Sequence, residues 1–219
     1  MGAKRPLFYS WGMKKIIRVW DLPIRLFHWL LVIGIVTSFI TVKIGGNVME
    51  FHALVGYCVL TLIIFRICWG FIGSHHARFI HFVPSPKGLL NYLSGKTKVG
   101  LGHNPLGALS VLGLLFSVGL QAVTGLFAND DIAFEGPFAK YVSSGTVELL
   151  TSIHRQNEKI LIALIVIHIC AIFYYQKFKG ENLIRPMLLG DKEIDPSEEA
   201  KYLPSDLGQA SKDGAWQRG

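Results

Sequence analysis

The sequence predicts an all-α membrane protein, a bundle of four transmembrane helices with both termini in the cytoplasm. Three observations lead there. Hydrophobic residues make up 51% of the 219-residue chain and charged residues 17%, with a mean hydropathy of +0.39; a soluble domain of this size carries more charge. The apolar residues are gathered into four runs, each close to the ~20 residues a spanning helix needs. Finally, the connections between runs alternate between basic and acidic, which assigns their sides by the positive-inside rule.

The first 20 residues form a basic, aromatic-flanked lead-in. Asp21 is placed to cap the first helix, with Pro23 tolerated in its first turn. The first span is expected over residues 23–42, around LFHWLLVIGIVTSFITV. Its apolar run is too long for the core of a secretion signal, and no small-residue cleavage site follows, so it is expected to persist as a helix. The second span covers residues 51–72. The loop 73–105 contains P-S-P (84–86) and the stretch KGLLNYL, read as a short helix on the membrane surface. The third span runs over 105–128. An acidic, aromatic loop (129–152) leads into the fourth span, residues 150–176. Residues 1–190 form the membrane domain, and 191–219 read as a polar, mostly disordered tail with at most one helical turn at D-P-S-E-E.

The formal charge of +7 follows this topology and is not a nucleic-acid footprint. Lys4, Arg5, Lys14, Lys15, Arg18 and Arg25 precede the first span, and Arg78, Lys87, Lys96 and Lys98 occupy the loop after the second. Between the third and fourth spans, Asp130, Asp131, Glu135 and Glu148 outnumber Lys140. Both termini and the 73–105 loop are therefore placed in the cytoplasm, and loops 43–51 and 129–152 outside. Cys58, Cys68 and Cys170 lie inside spans without C-x-x-C or C-x-x-C-H spacing. They are expected to be small buried thiols, and neither a disulfide framework nor c-type haem attachment has support.

Eight histidines occur, and four belong to spans or their first turns: His28, His52, His154 and His168. A single membrane histidine is commonly satisfied by an interhelical hydrogen bond, but the depths of these four pair up. His52 opens the second span and His154 the fourth, both at the outer face. His168 follows His154 by fourteen residues, about 21 Å along the same helix and within roughly 40° of the same face. It lies at the depth nearest His28, which sits in the first turns of the first span. That second match is looser and needs a tilt or axial shift.

Two histidine pairs at separate levels suit two bis-histidine metal centres. Haem iron brings four equatorial nitrogens and takes only axial ligands from protein. A structural zinc site wants four protein ligands, and neither level offers a cysteine or carboxylate at matching depth. Gly56, one turn after His52 on its face, makes room for a macrocycle, as do Gly34, Gly113, Gly119 and Gly125; close helix packing is the competing account of these glycines. Arg66 costs about 2.5–3.5 kcal/mol on insertion scales and sits fourteen residues after His52, near the inner level. Two readings stand for it, a bidentate partner for a haem propionate or snorkelling to inner-leaflet phosphates. His103 and Asn104 are candidates for contact with a quinone or for an interfacial cap of the third span. His75, His76 and His81 read as solvent-facing or at headgroup level.

The motifs VWDLPIRLFHWLL (19–31), HALVGYCVL with Arg66, Trp69 and Gly70, LGHNPLGAL (101–109), TGLFANDDIAFEGP (124–137), the His154–His168 spacing and KGENLIRPMLLG (179–190) together resemble the bacterial cytochrome b561 and nickel–iron hydrogenase b-type cytochrome superfamily. The resemblance covers about residues 16–190. It implies a four-helix cytochrome with two b haems in the bacterial inner membrane, His28 paired with His168 toward the cytoplasm and His52 with His154 toward the periplasm. The expected function is electron transfer between the quinone pool and a periplasmic redox partner such as a c-type cytochrome or hydrogenase, with a homodimer as a further possible association. Two other functions remain open: a superoxide:quinone oxidoreductase of the cytochrome b561 type, and a non-haem membrane scaffold or transporter whose histidines only hydrogen-bond.

Overall fold

The computed structural model describes residues 15–96, 101–132 and 134–194. Within them the chain forms strand β1 (Lys15–Arg18), helices α1 (Leu22–Ile44), α2 (Met49–Ile72), α3 (Phe79–Phe82), α4 (Pro86–Leu93), α5 (Pro105–Gly125), α6 (Ser144–Phe178) and α7 (Ile184–Leu189), and strand β2 (Asp191–Ile194). α1, α2, α5 and α6 are each long and apolar enough to cross a membrane, and they are the four predicted spans. Most of their large apolar side chains face outward, as lipid-facing helices require.

Local chemistry sets the boundaries. Asp21 accepts a hydrogen bond from the Ile24 amide at 2.8 Å and caps α1 with Pro23 behind it. Gly45 and Gly46 both take positive φ, which lets α1 reverse into α2 within a few residues. The fourth span is longer than its apolar run. Ser143 caps it through the Thr146 amide, so α6 begins at Ser144 and continues to Phe178. Hydropathy alone missed the polar first turns because they are helical without being oily. α5 ends at Gly125, three residues before its predicted end. The stretch KGLLNYL is helical as expected, within α4, with Leu90 and Leu93 exposed.

α1 packs along α2, α2 along α5 and α5 along α6, whereas among the described residues α6 makes little close backbone contact with α1 or α2. The core of the bundle is Phe27, Val59, Ile63, Val118 and Leu161. The three cysteines are free and exposed on the outer faces of the helices, which corrects the expectation of buried thiols: their spans are mostly lipid-facing.

A second core closes one end, called here the terminal end because the first and last described segments meet there. β1 and β2 pair antiparallel with Lys15 opposite Ile194 and Arg18 opposite Asp191. Ile17, Val19, Trp20, Ile24, Ala77, Leu101 and Ile194 form a buried cluster beneath them. Arg18 pairs with Asp191 and Arg185 with Glu193, while Arg25 and Trp29 donate to the Leu188 and Met187 carbonyls. This corrects the domain boundary drawn at 190: Asp191–Ile194 belong to the ordered cap, held by partners some 173 residues away. The D-P-S-E-E turn and the rest of the expected tail lie outside the described residues.

The cap docks α3 on α2 through Gly70, where the Phe79 ring occupies the space a Cβ would need. Gly70→Ala is therefore expected to push Phe79 off α2, an overpacking cost of about 1–3 kcal/mol, read as a lower unfolding midpoint in detergent. Ala at Gly113, where a Cβ meets nothing within 4 Å, is the silent control.

Candidate functional site

At the distal end, opposite the cap, a cavity of about 370 Å³ opens between α1, α2, α5 and α6, within the size range of small-molecule and cofactor sites. His52 from α2 and His154 from α6 both line it, as do Gly56 and Gly125. A Cβ at Gly56 would meet nothing within 4 Å, so the cavity is open beside His52, one turn along. One at Gly125 would lie 3.0 Å from the His154 ring. Arg155 and Glu158 lie at the wall, and Asp130, Ile132 and Phe134 of the 126–138 hairpin overhang it.

Both distal imidazoles are held the same way. His52 Nδ1 lies 3.1 Å from the Ser38 carbonyl oxygen and 3.1 Å from Thr41 Oγ1. His154 Nδ1 lies 2.9 Å from the Gln121 carbonyl oxygen and 3.2 Å from Thr124 Oγ1. A carbonyl oxygen only accepts, so each Nδ1 carries the proton and each Nε2 keeps its lone pair. Both threonines are buried. Behind His154, the buried Asn157 donates to the Ser117 carbonyl and to Gln121 Oε1 and accepts from Ser117 Oγ. Gln121 in turn donates to the His154 carbonyl at 3.1 Å. This network ties α5 to α6 with its polar groups satisfied.

At the terminal end, His28 on α1 and His168 on α6 lie close enough for the charge of one to act on the other, as do His52 and His154 at the distal end. α6 thus contributes one histidine near each of the other two, His154 beside His52 and His168 beside His28. The Nδ1 of His28 is buried with no hydrogen-bond partner among the described residues, and the Trp29 ring lies nearly perpendicular to the imidazole with centroids 5.0 Å apart.

Arg66 is only 4% exposed, so it does not snorkel. Its guanidinium lies 4.8 Å from the Phe79 ring centroid and 5.7 Å from that of Phe82, and one terminal nitrogen is buried without a hydrogen-bond partner among the described residues. Asp21 is near enough to act on its charge, but that carboxylate already accepts from the Ile24 amide and from Trp69 Nε1 at 2.9 Å. His103 packs between Trp20 and Phe82, with ring centroids 4.7 and 5.1 Å away. Burial, reinforced by the neighbouring charges of Arg66, His168 and His76, pushes its pKa down to about 3, so it is neutral at ordinary pH. Asn104 takes the capping role instead, accepting from the Gly107 amide at 2.7 Å. Further out, the His75 and His81 rings stack at 3.9 Å. Among the described residues, no three His, Cys, Asp or Glu side chains converge as an all-protein metal site requires.

The family model described as "Prokaryotic cytochrome b561" matches residues 19–190. The chain belongs to the prokaryotic cytochrome b561 family. A probable Ni/Fe-hydrogenase B-type cytochrome subunit of Azotobacter chroococcum is 24% identical, with 87% of this chain and 96% of the relative covered. Proteins of the same description from Bradyrhizobium diazoefficiens and Azotobacter vinelandii are 23% and 30% identical. The first covers 81% of this chain and 86% of the relative; the second covers 57% and 66%. This cytochrome b561 family member is therefore a bacterial multi-pass membrane protein for electron transfer, of a kind that carries haem b.

Sequence reading missed Thr41, Ser117, Gln121, Thr124 and Asn157. Thr41, Ser117, Gln121 and Thr124 are small or amide side chains within apolar runs, and Asn157 lies in the polar stretch HRQNEK (154–159). Their signal is weak, since a hydroxyl in a span can be satisfied by its own helix backbone and an amide marks only a need for some partner.

Proposed function

We propose that this cytochrome binds two b haems, one between His52 and His154 and the other between His28 and His168. It then carries electrons between the quinone pool and a redox partner outside the membrane. The observation that carries this reading is the arrangement of α6: it packs on α5, stands off from α1 and α2, and presents one histidine to each across that gap. Pairs of histidines, with no third ligand converging on either among the described residues, suit a metal that brings its own equatorial donors.

When bound, haem supplies one-electron chemistry at iron. The chain's own residues do the rest. Ser38, Thr41, Gln121 and Thr124 fix the distal rings with Nδ1 protonated, leaving Nε2 to bind metal. Gly56 and Gly125 keep side-chain bulk out of the distal cavity. At the terminal level, Arg66 has a buried, unpartnered donor, and a propionate carboxylate is the anion that fits it. Quinone contact is assigned, as part of this proposal, to the terminal end beside His103. By its basic flanks the terminal end lies in the cytoplasm, which turns the distal end and its acidic hairpin toward the periplasm. There the partner is a c-type cytochrome or, as the names of the relatives imply for them, a hydrogenase.

Purified protein is expected to hold two haem b per chain by pyridine haemochrome assay. Its Soret band should shift on dithionite addition, and a quinol should reduce the same band. A preparation made with haem supplied that shows no Soret band would overturn the proposal and return the histidines to plain interhelical hydrogen bonding.

A further inference from the structure

The two distal histidines share one arrangement built independently on two helix pairs. On α1, the Ser38 carbonyl and the hydroxyl of Thr41, three residues later, both face His52 Nδ1. On α5, the Gln121 carbonyl and the hydroxyl of Thr124, again three residues later, both face His154 Nδ1. Each threonine also donates its own proton backward, Thr41 to the Thr37 carbonyl at 2.9 Å and Thr124 to the Leu120 carbonyl at 2.6 Å. With its proton used there, each hydroxyl oxygen is left to accept from the imidazole N–H. The stretches S-F-I-T and Q-A-V-T share only the threonine, so the match is one of geometry. The terminal pair has no counterpart. His28 Nδ1 lacks a partner, and no hydrogen bond reaches the His168 ring among the described residues.

We propose that Thr41 and Thr124 are matched positioning residues that lower the midpoint potential of the distal haem below that of the terminal one. This rests on the bis-histidine reading above. A hydrogen bond accepted from Nδ1–H makes the imidazole a stronger donor through Nε2, and a stronger axial donor stabilises ferric over ferrous iron. Each distal ring gives its N–H to two acceptors, while His28 Nδ1 meets none among the described residues.

The test is potentiometric titration, with haem content measured alongside, of wild type, Thr41→Val, Thr124→Val, the double variant and the two serine variants. Valine keeps the shape and removes the acceptor; serine restores it. Each valine variant is expected to retain two haems and raise only the lower of the two midpoint potentials. The double variant should raise it further, and serine should return it to the wild-type value. A threonine that merely bonds its own helix backbone would leave both potentials where they were, and that result overturns the proposal. So does a rise confined to the upper potential, or an equal rise in both. Should one valine variant fail to accumulate, its twin on the other helix pair, whose threonine has separate hydrogen-bond partners, reads the same effect. A wild-type count other than two haems would instead sink the underlying reading, so the two failures are told apart.

Discussion

Alanine in place of His154 is expected to leave one haem b per chain where the wild type holds two, and alanine in place of His168 to do the same. The double variant should hold none. Fourteen residues separate the two positions, about 21 Å along α6, so neither substitution disturbs the other level. His52→Ala should reproduce the His154→Ala spectrum and His28→Ala the His168→Ala spectrum, because partners in one pair remove the same haem. The measurement is haem per chain together with the reduced α-band, which loses one component and keeps the other. Two haems persisting in either single α6 variant would break the ligand assignment, as would loss of both.

Arg66→Leu is expected to act in the opposite sense on the protein and on its cofactor. Removing a guanidinium from the span relieves an insertion cost of about 2.5–3.5 kcal/mol, so the apoprotein should reach the membrane at least as well as wild type. Losing a charge-assisted contact of about 1.5–3 kcal/mol should weaken retention of the terminal haem by roughly ten- to a hundredfold. The distal haem should stay bound. Arg66→Lys should restore this only in part, since an ammonium lacks the planar fork that grips a carboxylate. Competition with an apo-globin acceptor, followed spectrally, reads the two sites separately. Equal loss rates for the two haems in Arg66→Leu would mean that the guanidinium serves something else.

The four spans and the four histidines were legible because their signals are local or periodic. Hydropathy marks a span without reference to its neighbours, and helix rise turns residue spacing into depth. The exposed cysteines and the early start of α6 show where those signals stop. Hydropathy does not say which face of a span meets lipid, and it does not register Ser144–Leu149, whose helix is set by the Ser143 cap and by packing on α5. Arg66 was visible as a cost, but only its burial under Phe79 and Phe82 separates a buried arginine from a snorkelling one. The supports of the distal histidines were illegible for a different reason. Thr41, Thr124 and Asn157 are defined by what another helix places opposite them, and a single sequence holds no record of that pairing. The β1–β2 ladder is harder still: two four-residue strands with no alternation of their own, joined across almost the whole chain.

That ladder also fixes an order of events during biosynthesis. Residues 15–18 leave the ribosome before any span, yet their partners, Asp191–Ile194, are made only after the fourth span is complete. Until then Ile17, Trp20 and Leu101 have no Ile194 to close over them, and the cap core stays incomplete. The strand pairing is thus the last seam of the fold to be sewn. A chain that ends before residue 191 therefore leaves the apolar side chains beneath the ladder uncovered by Ile194.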